Sequence, residues 1–191
     1  MSAESIGKTE VTSPNVPERA RRFAWLGPPP LFEGEDTAAY DELLARISGA
    51  MKPADIFEEV WVRDIVDLSW EVLRLRRLKA SLMTATAYEG LHKILEPFFE
   101  FYGERDQLVR GWAARQKTAI KQVNRLLASA GLTMDAVNAQ TFCTYLDEFE
   151  RIARMIASAE ARRGAILYEV ELHRARRRLR RATLEIEGHR G

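Results

Sequence analysis

Between Pro53 and Glu96 apolar residues return every three or four positions: Phe57, Trp61, Ile65, Leu68, Val72, Leu75 and Leu82, with Ile56, Val60 and Leu78 widening the stripe. That spacing lines up one side of a helix and scatters over both faces of a strand. An unbroken helix over these 44 residues would be about 66 Å long at 1.5 Å per residue. The stripe is wider than a two-stranded seam requires, which predicts a bundle core. Thr84, Thr86 and Gly90 are weak helix formers and predict a kink or break in the middle.

The rest of the chain repeats the pattern. Asp36 is placed to cap a first helix carrying Tyr40, Leu43, Leu44 and Ile47, which ends at Gly49 and Met51-Lys52-Pro53. Pro53 then opens the long helix, with Asp55, Glu58 and Glu59 near its partial positive end. A third helix is expected over about 105–130, with Leu108, Val109, Trp112, Ile120, Val123, Leu126 and Leu127 as its apolar set and Gly131 as its stop. Thr133 and Asp135 start a further stretch that settles into a helix over about 140–187, carrying Phe142, Leu146, Phe149, Ile152, Ile156, Leu167 and Val170. Its end narrows to a seam of Leu172, Ala175, Leu179, Ala182 and Ile186, the alternation of a coiled coil. No stretch alternates as a strand does. The expected fold is all-α, with long helices folded back in antiparallel hairpins as an elongated, coiled-coil-like bundle.

Residues 31–191 are expected to form a single helical domain and residues 1–30 a disordered tail with a Pro-rich docking segment. The tail is polar, carries Pro14 and Pro17, and ends in Phe23-Ala24-Trp25-Leu26 and Pro28-Pro29-Pro30. The Phe23-Trp25-Leu26 cluster has two readings: a docking motif for a partner, or a patch folded back on the chain's own helices. With 191 residues and 46% hydrophobic content, the chain can bury a sizeable core. No apolar run approaches a membrane span, the start lacks a secretory pattern, and a single cysteine fits a reducing compartment. A cytoplasmic protein is expected.

Charge is distributed unevenly. Residues 31–72 hold 3 basic and 11 acidic side chains, whereas residues 73–191 hold 22 basic and 14 acidic. Such a chain can pair with itself, pair head-to-tail between copies, or offer its basic part to a polyanion. The most distinctive wording lies in residues 33–79: Glu33-Gly34-Glu35-Asp36, Tyr40-Asp41-Glu42-Leu43-Leu44, Lys52-Pro53-Ala54-Asp55-Ile56, Trp61-Val62-Arg63-Asp64-Ile65-Val66-Asp67-Leu68 and Arg76-Arg77-Leu78-Lys79. It resembles an uncharacterised family of bacterial helical proteins of similar length. The resemblance implies a bacterial, cytoplasmic setting and brings no activity or site residue with it.

Chemistry is sparse in this sequence. Glu89-x-x-His92 has the spacing of a carboxylate-bridged di-iron bundle, but the second copy is missing, since Glu169 and His173 are four apart. Cys143 has apolar neighbours and is expected as a buried small hydrophobe. Arg63, Asp64, Asp67 and Glu71 fit surface pairing on one helix. The aromatics of residues 98–102 either cap a bundle end or line a pocket. Glycine-rich phosphate loops are absent. No catalytic residue, metal or cofactor is therefore expected.

The arginines stand out. Arg174, Arg176, Arg177, Arg178, Arg180 and Arg181 fall within eight positions. Of these, Arg174, Arg177, Arg178 and Arg181 are the candidates for contacting nucleic-acid phosphates. Leu172, Ala175, Leu179, Ala182 and Ile186 are the candidate self-association seam. The function this supports is a non-enzymatic helical interaction or scaffold protein that self-associates, with a protein partner or a second copy. The alternative is a nucleic-acid-associated accessory protein using the arginine helix, and a bundle metalloenzyme is the remote third reading.

Overall fold

A computed structural model describes the backbone over residues 22–188 and the side chains as far as Glu185. The expected tail before Arg22 and the side chain of Ile186 lie outside the described residues. The fold is all-α: 84% helical, with six α-helices and no strand among the described residues. The helices are α1 (Thr37–Met51), α2 (Ile56–Ile94), α3 (Tyr102–Ala113), α4 (Lys117–Ser129), α5 (Met134–Thr144) and α6 (Leu146–Gly188). Among the described residues no helix is long and apolar enough to cross a membrane. The described residues divide into two compact units, one made of residues 22–68 and 163–188, the other of Ser69–Arg162.

In the first unit Asp36 caps α1, its carboxylate accepting from the amides of Ala38 and Ala39 at 2.9 and 3.1 Å. Lys52 closes α1 in the left-handed conformation, at φ 47°. Phe23, Tyr40, Leu44, Val62, Ile65, Val66, Leu68 and Val170 are its buried apolar residues. The start of α2 and the end of α6 pack antiparallel, with Asp55 opposite Arg177 and Trp61 against the His173 ring. Phe23 is 1% exposed, so the first aromatic of the cluster folds back on its own chain.

Arg63 holds the proline segment in place. It was expected on the surface, yet it is buried: its side chain crosses the Tyr40 ring at 5.5 Å, pairs with Asp67 at 3.1 Å and donates to the Pro28 carbonyl at 2.9 Å. Tyr40 donates a short hydrogen bond to the same Asp67. Burial, reinforced by that carboxylate, pushes the Tyr40 phenol far up. Replacing Arg63 by Met keeps the aliphatic packing but strands the Pro28 carbonyl and half of the Asp67 pairing. The expected cost is about 2–3 kcal/mol, with faster proteolysis between Phe23 and Leu31. Denaturant titration and limited proteolysis check both.

In the second unit Leu91, Leu95, Leu108, Val109, Ala119, Val123, Leu127 and Val137 form a buried cluster, with Phe98, Phe99, Trp112 and Met134 packed against it. Three expectations are corrected here. First, α2 runs without a break through Thr84, Thr86 and Gly90. The threonine hydroxyls donate to the Ala80 and Leu82 carbonyls within the helix. Second, the single helix over 105–130 is two helices, because Arg115 adopts a left-handed conformation at φ 59° and the Gln116 amide turns back to the Gly111 carbonyl at 3.0 Å. Third, the last helical stretch is interrupted at Tyr145, whose amide still bonds to Thr141 while its own carbonyl starts α6 by accepting from Phe149. The aromatics of residues 98–102 divide: Phe98 and Phe99 pack on the core, and Phe101 and Tyr102 are exposed.

Candidate functional site

The candidate site lies in the first unit, where the α1–α2 connection meets the C-terminal part of α6. Asp55 and Glu58 begin α2 in a near capping box: the Glu58 amide donates to Asp55 Oδ1 at 3.0 Å, and Glu58 Oε2 accepts from the Ala54 amide at 3.1 Å. Both carboxylates also face α6. Arg174 Nη2 lies 2.7 Å from Glu58 Oε2, Arg177 Nη1 lies 2.7 Å from Asp55 Oδ2, and His173 Nε2 lies 2.8 Å from the same Asp55 oxygen. Arg174 also donates to the Met51 carbonyl, tying α6 to the end of α1.

Glu58 is 1% exposed. Burial alone would push its carboxyl up, but the Arg174 guanidinium and the Ala54 amide outweigh that and hold it below the usual carboxylate range. Asp55 is also lowered, chiefly by the Glu58 amide and then by His173 and Arg177. Arg174 is raised by its bond to Glu58. The group is a fixed lattice of charges in which two carboxylates orient two guanidiniums.

A cleft of about 400 Å³ opens beside this lattice, lined by Lys52, Glu58, Arg174, Arg177, Arg178 and Arg181 with Ala50, Met51 and Ala54. All four sequence-nominated arginines line it. They stand at positions i, i+3, i+4 and i+7 and so share one helix face. Arg174 and Arg177 are engaged by the chain's own acids. The side chains of Arg178, Arg181 and Lys52 have no hydrogen-bond or ion-pair partner among the described residues, and all three residues are exposed.

Asp55, Glu58 and His173 place three potential metal-ligand atoms within 4.8 Å of one another, the only such group among the described residues. The chemistry of the surroundings argues against a cation there. Two guanidiniums already sit on those carboxylates at 2.7 Å, and a divalent ion would have to displace them among further arginines. The motif singled out in the sequence is employed otherwise: Glu89 binds the Tyr88 and Tyr145 hydroxyls, pushing the Tyr145 phenol up to about 12, and the His92 ring lies 5.1 Å from that of Tyr102. Cys143, expected to be buried, is exposed. The buried face of α5 carries Val137 and Thr141, and Cys143 points about 200° away from Thr141 at 100° per residue.

The seam is placed differently from the arginines. Leu172 is half-buried, and Ala175, Leu179 and Ala182 are exposed, Leu179 by 69%. No described residue covers the last three. The exposed stripe also extends further back than the sequence pattern implied, through Ala165 and Tyr168, which is 64% exposed. Tyr168 stands four residues before Leu172 on the same side of α6. A tyrosine in an apolar heptad position was the available signal.

No family model matches the chain, and neither the curated proteins nor the solved structures compared with it give a match.

Proposed function

We propose that the chain is a non-enzymatic helical interaction protein that pairs with a second copy of itself through the exposed stripe of α6. The observation that carries this reading is the exposure of Leu179 and Tyr168 on an unbroken helix, where an apolar stripe in a 3–4 alternation invites another helix. Ala165, Tyr168, Leu172, Ala175, Leu179 and Ala182 fall at successive a and d positions, and alanine at three of these six layers permits close approach. The flanking charges favour a parallel pair of identical copies. In that register Glu171 of one helix faces Arg176 of the other, twice by symmetry, and both residues are exposed. The setting we infer is the bacterial cytoplasm, where an exposed Cys143 stays a thiol. Non-specific nucleic-acid binding is the weaker reading, because Arg174 and Arg177 are already neutralised by Glu58 and Asp55.

Analytical ultracentrifugation tests the assembly. The full chain is expected to sediment as a dimer. Leu179→Asp should weaken association by at least about 30-fold, the scale of a central interface residue, without loss of helicity. Glu171→Arg should weaken it as well, and adding Arg176→Glu should restore it. A chain that stays monomeric at high concentration, or a dimer indifferent to Leu179→Asp, would overturn the proposal.

A further inference from the structure

The cleft beside Glu58 has a geometry that self-association does not use. Arg174, Arg177 and Arg181 stand at c and f positions, away from the apolar stripe, and Arg178 stands at its edge, at g. We propose that this cleft is a binding site for a compact, multiply charged phosphate of the diphosphate class, either free or as the end of a larger small molecule.

Four features support it. The only acidic residue in the lining is Glu58, which is buried and already bonded to Arg174 and the Ala54 amide, so the surface offered to a ligand is cationic. Arg178, Arg181 and Lys52 supply charge that no described residue neutralises. Arg174 and Arg177 are held by Glu58 and Asp55, so their positions are set before a ligand arrives and little ordering remains to be done on binding. Finally, the arginines face a wall formed by Ala50, Met51 and Ala54 across an open cleft, whose volume of about 400 Å³ falls in the range of small-molecule sites. A diphosphate fits between that wall and α6, where planar guanidiniums can grip its oxygens in pairs. A double helix does not fit there. Lys52 adds a point charge from the opposite side, on a backbone at φ 47° that glycine would adopt more easily.

Calorimetric titration of the full chain with inorganic pyrophosphate at low salt tests the site. Arg178→Ala with Arg181→Ala should weaken binding at least tenfold. Arg151→Ala with Arg180→Ala removes the same charge from the same helix outside the cleft and should change affinity less than threefold. Lys52→Gly provides a check from another element: its backbone is relieved, so the thermal midpoint should not fall, yet affinity should drop several-fold. Three results would each overturn the proposal. These are no pyrophosphate binding by the folded chain, equal losses in the two double variants, and a duplex oligonucleotide that binds more tightly than pyrophosphate with both double variants equally impaired. The last would return the arginine helix to a diffuse nucleic-acid role. None of the three bears on the α6 pairing, which ultracentrifugation reads separately.

Discussion

Gly90→Ala is expected to destabilise the protein by about 2–4 kcal/mol, although alanine is the better helix former by about 1 kcal/mol. A Cβ at this position would lie 2.1 Å from Thr141 Oγ1, 2.6 Å from the Val137 carbonyl and 2.8 Å from the Thr141 amide. Two of these three neighbours are backbone atoms of α5, which cannot rotate away. The overlap is resolved only by moving α5 off α2 and opening the cluster around Leu91 and Val137. For a chain of this size that corresponds to a fall in thermal midpoint of roughly 5–12 °C. Thr141→Ala removes the closest contact and leaves the other two, so adding it to Gly90→Ala should recover only part of the loss. Full recovery in that double-mutant cycle would mean that the side-chain overlap alone was responsible. An unchanged or raised midpoint for Gly90→Ala would refute the close approach of the two helices.

Arg174→Ala is expected to be nearly as costly, at about 2–4 kcal/mol, because it leaves the buried Glu58 carboxylate without its main partner. The figure is taken below that for a fully buried pair because Arg174 is about one-third exposed. Its pH dependence identifies the cause. In the parent protein the Glu58 and Asp55 carboxyls are lowered, so the stability they contribute is present above the ordinary carboxylate range and lost as pH falls through their lowered folded values. Stability should therefore hold from neutral pH down to about 5 and decline below about 4. In Arg174→Ala burial acts on Glu58 with less opposition and raises its carboxyl. Protonation then relieves the strain, and the variant should gain stability relative to the parent as pH falls from 7 towards 5. Denaturant titrations across that interval check it. A deficit that stays constant with pH would show that lost packing, and not a stranded charge, is responsible.

The fold class was legible because helical periodicity is a local signal. Asp36 and the α2 stripe of Trp61, Ile65, Leu68 and Val72 each act within one turn or two, and the structure carries them as read, whereas Pro53, read as the first turn of α2, lies three residues before it, because Asp55 and Glu58 cap the helix at Ile56. Helix boundaries were less legible where the deciding event is a single backbone conformation. Arg115 separates α3 from α4 by a left-handed turn that no neighbouring glycine or proline announces, although a run without a large apolar residue between Trp112 and Ile120 marks the place. Gly90 was misread for a related reason. Glycine within a helix weakens it or admits a close neighbour, and only the neighbour distinguishes the two.

The candidate site was half legible. Arg174, Arg177, Arg178 and Arg181 stand out by density, and helical geometry alone puts them on one face. Their division into two paired and two unpaired residues depends on Asp55 and Glu58, more than 110 residues away in sequence. Those acids are fully accounted for locally as the start of α2, so nothing in their surroundings announces a second role.

By itself the sequence determined an all-α chain, its principal caps, the apolar stripe at the end of α6 and the arginine face beside it on the same helix. These depend on residue spacing and on forces that act within a few residues. Tertiary structure alone decided that Gly90 seats α5, that Arg63 is buried under the proline segment, that Cys143 is exposed, and that Asp55 and Glu58 orient two arginines and leave the others to a cleft. Each of these requires two segments remote in sequence to meet, and the energy of such a meeting is written in neither segment.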